Sequence, residues 1–163
     1  MTEVHIVGGV HPEHDLYYYV EMIRRVKAIL PEATVKAFTA IELSYMIRKA
    51  GLTIDEGLRL LRSAGMEAIP GGGAEIFDEE LRARICPDKG STVEWFEVHA
   101  AAHRLGIPTN ATILYGHIEC VEHRIDHLDR CAASRTRRAA STPSSRSNTA
   151  ISATACRKSA RFP

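Results

Sequence analysis

The sequence predicts an α/β fold of about four βα units around a parallel sheet, the extent of half a β/α (TIM-like) barrel. Two observations lead there. Short apolar runs of strand character alternate with longer runs whose apolar residues recur at helical spacing. Glycine-bearing turns follow three of the strand-like runs, VHIVGGVHP, AIPGGGAEI and TILYGHIE, at the strand ends where β/α barrels and open α/β sheets build their sites. A third observation sets the size. With 163 residues, 45% hydrophobic and 25% charged, the chain is at most one ordinary domain, and four units leave a barrel with exposed edges.

The elements follow in order. Val4 to Val7 reads as a buried strand ended by Gly8-Gly9, with His11-Pro12 in the loop beyond. Leu16, Tyr19, Val20, Ile23, Val26 and Leu30 mark one face of a helix that Pro31 stops. Val35 to Phe38 is the second strand, and Ile41 to Ala50 a helix closed by Gly51. Thr53 with Glu56 is a capping box, opening a helix through Leu58 and Leu61 to Gly65. Met66 to Ile69 is the third strand, running into Gly71-Gly72-Gly73. Asp78 caps a helix through Leu81 and Ile85 that ends near Pro87. Ser91 with Glu94 is a second capping box; its helix carries Trp95, Val98, Ala102 and Leu105 on one stripe and stops at Gly106. Asn110 to Tyr115 is the fourth strand, followed by Gly116-His117 and a last helix from Glu119 to Arg130.

Composition then narrows the function classes. No apolar run approaches the roughly 20 residues of a membrane span, and no signal-like leader precedes VHIV. A cytoplasmic protein without a membrane partner is expected. Residues 1–130 hold all 20 acids and 14 of the 21 Lys and Arg, an acidic body that argues against a nucleic-acid surface. Residues 131–163 hold seven bases and no acid, and their apolar periodicity vanishes into Ala, Ser, Arg and Thr. Two readings stand for this tail: a disordered basic segment, or a reading-frame slip near Arg130. With GC-leaning codons, starting the frame one base earlier continues the helix and gives an apolar, strand-like segment. The expected organisation is a partial barrel over 1–130 and a disordered or frameshifted tail over 131–163.

Several residues carry candidate chemistry, each beside a plainer reading. Gly8-Gly9 could bring strand-end backbone against an amino-acid moiety, or simply turn the chain. Glu75 could hold a ligand hydroxyl or amine at the mouth behind the glycine triplet. Leu114 could pack on a flat ring while Gly116 permits close approach; the plainer reading is a strand-to-helix junction. Lys36 is a candidate amine on a strand, and His11 a candidate site histidine or a solvated one. His99 with His103 and His123 with His127 have the spacing to chelate zinc, but neither pair carries HExxH, and surface histidines are the favoured reading. Cys86, Cys120, Cys131 and Cys156 share no CxxC or CxxxC spacing, so no local metal knuckle or redox pair is expected; Cys86 reads as a packed thiol.

Taken together, VHIVGGVHP, VKAFTAIE, IPGGGAEIF, RICPDK, WFEVHAAAHRLGI, TNATILYGHIE and EHRIDHL, in this order over residues 3–130, resemble the aminofutalosine synthases. These are radical S-adenosylmethionine (SAM) enzymes of the futalosine route to menaquinone. KAFTAIE and RICPDK are more similar to that family than to the related cyclic dehypoxanthinyl futalosine synthases. The resemblance implies a radical SAM barrel and a [4Fe-4S] cluster on a CxxxCxxC motif that cleaves SAM. It also implies a transferase reaction in which the 5′-deoxyadenosyl radical adds to 3-[(1-carboxyvinyl)oxy]benzoate, a chorismate-derived enolpyruvyl benzoate, giving aminofutalosine. By motif position, Gly8 and Gly9 match the glycines near the SAM methionine. Glu75 matches an acid beside the ribose or substrate. Leu114, Tyr115 and Gly116 match the segment under the adenine. His11, Lys36, Glu75 and His117 are the expected substrate-side residues; no individual catalytic residue and no metal ligand is assigned. The departure is the cluster motif, since CxxxCxxC occurs nowhere in the chain. The expectation is therefore an interior fragment that binds no cluster and is inactive alone. Alternatives are a fragment of the related cyclase and a non-catalytic half-barrel binding module.

Overall fold

A computed structural model describes residues 1–141 and 151–155, with side-chain surroundings through residue 135. The order is β1 (Glu3–Ile6), α1 (Leu16–Ile29), β2 (Thr34–Ala37), α2 (Ala40–Lys49), α3 (Ile54–Ser63) and α4 (Glu79–Ile85). A 3-10 turn at Pro87–Lys89, α5 (Thr92–Arg104), β3 (Ala111–Tyr115), α6 (Val121–Ser141) and β4 (Ile151–Ala155) complete it. The fold is mixed α/β with small parallel sheets; helices α2 to α5 follow one another between β2 and β3, where the sequence predicts a further strand.

β1 pairs parallel with β2, and β3 parallel with β4. Between them the predicted third strand shrinks to two residues. Ala68 bridges Lys36, and Ile69 bridges Thr109, both in parallel. The reason lies in the backbone. Glu67 donates to the Val35 carbonyl and Ala37 to that of Ala68, whereas the next amide, Ile69, donates to Pro108. The segment changes neighbours within two residues and then enters the glycine triplet, so no ladder grows. The parallel order β1, β2, residues 68–69, β3 sets their C-terminal ends along one edge.

The helix starts follow the caps. Asp15, Thr53, Asp78 and Ser91 each accept an amide hydrogen bond two or three positions into the helix that follows them. Thr39 with Glu42 adds a capping box at the start of α2. The core joins Val35 and Ala37 of β2 to Leu16 and Ile23 of α1, Leu43 and Ile47 of α2, and Leu58 and Leu61 of α3. Trp95, Val98 and Ala102 of α5 extend it. Among the described residues no helix is long and apolar enough to cross a membrane.

The C-terminal segment carries two further elements. α6 continues past Arg130 to Ser141, and Ile151–Ala155 forms β4 against β3. Ala and Arg rank high in helix propensity, so CAASRTRRAAS sustains a helix without an apolar stripe. Of the segment 131–163, expected as a disordered or frameshifted tail, 131–141 and 151–155 are described; residues 142–150 and 156–163 lie outside the described residues.

Candidate functional site

The three glycine turns lie at the C-terminal ends of β1, residues 68–69 and β3, and each is tied down by a charged side chain. At β1, the Glu42 carboxylate accepts the Gly8 amide at 2.7 Å and the Gly9 amide more closely still. Its other oxygen accepts the Thr39 amide and hydroxyl, both at 2.7 Å. Glu42 is 5% exposed, so four donors replace the water it has lost. At β3, Glu119 accepts the Gly116 amide at 2.6 Å, the His117 amide at 2.9 Å and Arg124 Nε at 2.8 Å. Burial pushes the Glu119 carboxyl up, but these amides and the guanidinium outweigh it and hold its pKa at about 2.

The middle turn is held from the opposite side, by its carbonyls. The Arg82 guanidinium, 2% exposed, donates to the carbonyls of Gly73, Ala74, Ile76, Lys89 and Gly90 at 2.6 to 3.2 Å. Glu75 lies inside this clamp with φ +48°, a left-handed backbone uncommon for a residue with a Cβ. Its carbonyl accepts the Leu114 amide at 2.8 Å, and its carboxylate lies 3.6 Å from Lys89 Nζ. The clamp thus joins the second mouth to the third.

Gly71 is required by the same junction. A Cβ there would meet the backbone of Asn110 and Ala111 at 2.8 Å, and the Gly71 carbonyl already takes the Thr112 hydroxyl at 2.7 Å. Gly71→Ala is expected to lose about 2 kcal/mol, because backbone cannot yield as a flexible side chain can; a denaturation midpoint like that of the unsubstituted chain would contradict this close approach.

The predicted site residues are only partly brought together. Gly8, Gly9, Glu75, Leu114, Tyr115 and Gly116 border the turns at the strand ends. His11 lies exposed in the following loop, stacked on His14 with ring centroids 4.2 Å apart. Lys49 Nζ anchors that loop through the carbonyls of His11, Pro12 and His14. His117 is exposed and enters the β3 turn through its backbone amide. Lys36 sits mid-strand on β2. Its register with His5 places the two beside each other, and its ammonium lies 3.8 Å from Glu3, which also contacts His5 at 2.6 Å. The Arg124 guanidinium covers the Tyr115 ring at 5.5 Å.

Two histidines differ from the surface reading. His99 is 1% exposed and His127 fully buried, stacked on Trp95 at 3.6 Å and on Phe77 at 4.1 Å. His99 falls on the stripe of Trp95, Val98 and Ala102, so its position faces the core even though its residue type suggests water. Cys86 is buried and its thiol is pushed up by burial, in line with a packed thiol.

Chemically, the first and third turns offer no free anion cradle. The amides that would bind a phosphate already hold carboxylates, so the neighbouring carbonyl oxygens are what these turns can present to a ligand. A concavity of 690 Å³ opens elsewhere, between α5 and α6, and includes Phe96, Ala100 and Arg130. It lies away from the strand ends.

An arc of parallel strands, with its glycine turns and their anchoring charges at the C-terminal edge, is an α/β scaffold of the kind that binds small molecules across strand ends. The chain belongs to the radical SAM superfamily, whose profile matches residues 1–131. It is 48% identical over 130 residues to the aminodeoxyfutalosine synthase of Thermus thermophilus, covering 80% of this chain and 35% of that protein. The Streptomyces coelicolor aminodeoxyfutalosine synthase is 44% identical over 128 residues, 78% of this chain and 33% of that protein. The 5-amino-6-(D-ribitylamino)uracil–L-tyrosine 4-hydroxyphenyl transferase of Methanothermobacter thermautotrophicus is 46% identical over 127 residues, 78% of this chain and 35% of that protein. The chain thus spans about a third of the length of the curated relatives it matches.

The superfamily implies SAM and a four-iron cluster. The cluster does not fit the described residues. Cys86 and Cys131 are buried, Cys120 is exposed, and no group of three or more His, Cys, Asp or Glu is placed to hold a metal ion among them. The turn at Gly8-Gly9 leaves open space at the end of β1. Its amides are committed to Glu42, and nothing lies within 4 Å of a Cβ built on either glycine.

Proposed function

We propose that residues 1–130 are the part of a radical SAM aminofutalosine synthase that contributes to SAM and substrate binding, and that this polypeptide alone binds no cluster and does not turn over. The 48% identity to the Thermus aminodeoxyfutalosine synthase carries the reading, with KAFTAIE and RICPDK favouring it over the related cyclase. The enolpyruvyl benzoate is the proposed substrate. When SAM and the cluster are held by a whole enzyme, they supply the radical. The residues here bind and orient: Gly8 and Gly9 through carbonyls toward the methionine ammonium, Glu75 toward a ribose or substrate hydroxyl, and Leu114 with Gly116 along the adenine. His11, Lys36 and His117 remain the proposed substrate-side groups.

The 130/131 boundary is part of the proposal. The family profile stops at residue 131, close to where acids and apolar periodicity disappear, which supports a frame slip near Arg130. Resequencing the gene through that codon tests it, and an intact frame would remove it.

Gly8→Ala tests the binding role without disturbing the fold. Gly8 has a negative φ and open space where a Cβ would stand, so the melting temperature should hold within about 2 °C. Affinity for SAM, read by equilibrium dialysis, should fall about tenfold if the ligand approaches this backbone. Equal affinity in the two chains would place SAM elsewhere.

A further inference from the structure

A second cluster of reactive groups lies outside these turns. Cys120 immediately precedes α6 and is exposed. Its Sγ is 3.0 Å from His123 Nδ1, and its own amide donates to the same nitrogen at 3.1 Å. The amide and the thiol therefore share the one lone pair of Nδ1, and the proton of the neutral ring sits on Nε2. Nε2 faces Asp78 Oδ2 at 3.9 Å. Asp78 belongs to a different element, and its other oxygen is held at 2.9 Å by the Leu81 amide as the cap of α4. Nucleophile, base and orienting carboxylate thus stand in sequence, the arrangement that activates a cysteine. The thiol can also donate to the Glu122 carboxylate, which holds that carboxyl below its usual range, so Glu122 competes with His123 for the thiol proton. Cys86 and Cys131 lack this setting: both are buried, and burial pushes the Cys131 thiol up to about 11.

We propose that Cys120 is a nucleophilic thiol oxidised by a small hydroperoxide to sulfenic acid, with His123 as its base and Asp78 orienting the imidazole. His123 Nδ1 takes the thiol proton. The sulfur pair attacks one peroxide oxygen, forming an S–O bond as the O–O bond breaks. The leaving hydroxide takes the proton back from the imidazolium and departs as water. With hydrogen peroxide, one thiol and one peroxide become one sulfenic acid and one water.

The test uses the full chain, dilute hydrogen peroxide and dimedone as trap, with labelling at Cys120 followed by peptide mass spectrometry. Cys120 in the folded chain should label about tenfold faster than in guanidinium-unfolded chain at the same pH. His123→Asn should return the folded rate to the unfolded one. Asp78→Asn, which keeps an α4 cap, should fall between. A folded rate no higher than the unfolded rate overturns the proposal, as does a folded His123→Asn chain that labels like the unsubstituted one. Should His123→Asn fail to fold, the folded-against-unfolded comparison and Asp78→Asn decide.

Discussion

Arg82→Met is expected to leave little folded chain. Its guanidinium donates to carbonyls on both sides of α4: Gly73, Ala74 and Ile76 before it, Lys89 and Gly90 after it. No carboxylate faces it at salt-bridge distance among the described residues, so oriented carbonyl dipoles balance the charge. Hydrogen bonds to a charged group contribute about 1.5–3 kcal/mol each, and buried acceptors left unpaired add a further cost. Even with partial relaxation, the loss should reach about 4 kcal/mol, a large part of the roughly 5–15 kcal/mol that holds an ordinary domain. Met keeps the apolar stem and removes the guanidinium head. Lys should recover only part, since an ammonium cannot fork across two loops. Thermal and denaturant melts of the three chains read this directly. A Met variant melting within about 2 °C of the unsubstituted chain would show that the loops hold themselves.

Arg82 also marks where the sequence stops being informative. The capping boxes at Thr53/Glu56 and Ser91/Glu94 are local, and the structure keeps both. The strand–glycine–helix rhythm is local as well, and it places three of the four predicted strands. Thr39/Glu42 has the same local spacing, yet its longer reach to Gly8 and Gly9, 34 and 33 residues away, has no sequence signature. Arg82 looks like one more surface base on a short polar helix, because its partners are backbone carbonyls, which leave no mark in a sequence. The third strand shortens for a related reason: apolar content predicts burial at 66–69, but pairing depends on which neighbour each amide finds. α6 overruns its predicted end because periodicity measures packing, whereas helix propensity alone can extend a helix.

The second large effect is acid sensitivity, and the buried histidines set its sign. His99 is pushed down to about 3 by burial, with His103 adding; His127 is pushed down to about 4, chiefly by burial. Among the described residues no geometrically sound hydrogen bond meets Nε2 of His99 or either nitrogen of His127, and for His127 burial outweighs the Thr112 backbone and Asp126, which favour its charged form, so a proton gained in the fold would bring a poorly compensated charge into the core. The unfolded chain titrates near the ordinary value of about 6.5. Between that value and the folded ones the unfolded state binds more protons, so stability rises with pH. The stabilisation is present above about 6.5 and is lost as pH falls, at about 1.4 kcal/mol per pH unit for each histidine. At pH 5 the two together should remove about 4 kcal/mol relative to neutral pH. Glu119 extends the loss lower. Its folded pKa of about 2 lies below the unfolded carboxyl value, so its contribution holds above about 4.3 and disappears as pH falls from there toward the folded value. Urea melts at pH 7.5, 6 and 5 should show the histidine slope. His127→Phe, which keeps an aromatic ring against Phe77 but cannot take a proton, should remove about half of it. A stability level between pH 7.5 and 5 would mean that one or both rings reach water or a partner when charged, and their burial against Trp95 and Phe77 would then be looser than the stacking implies.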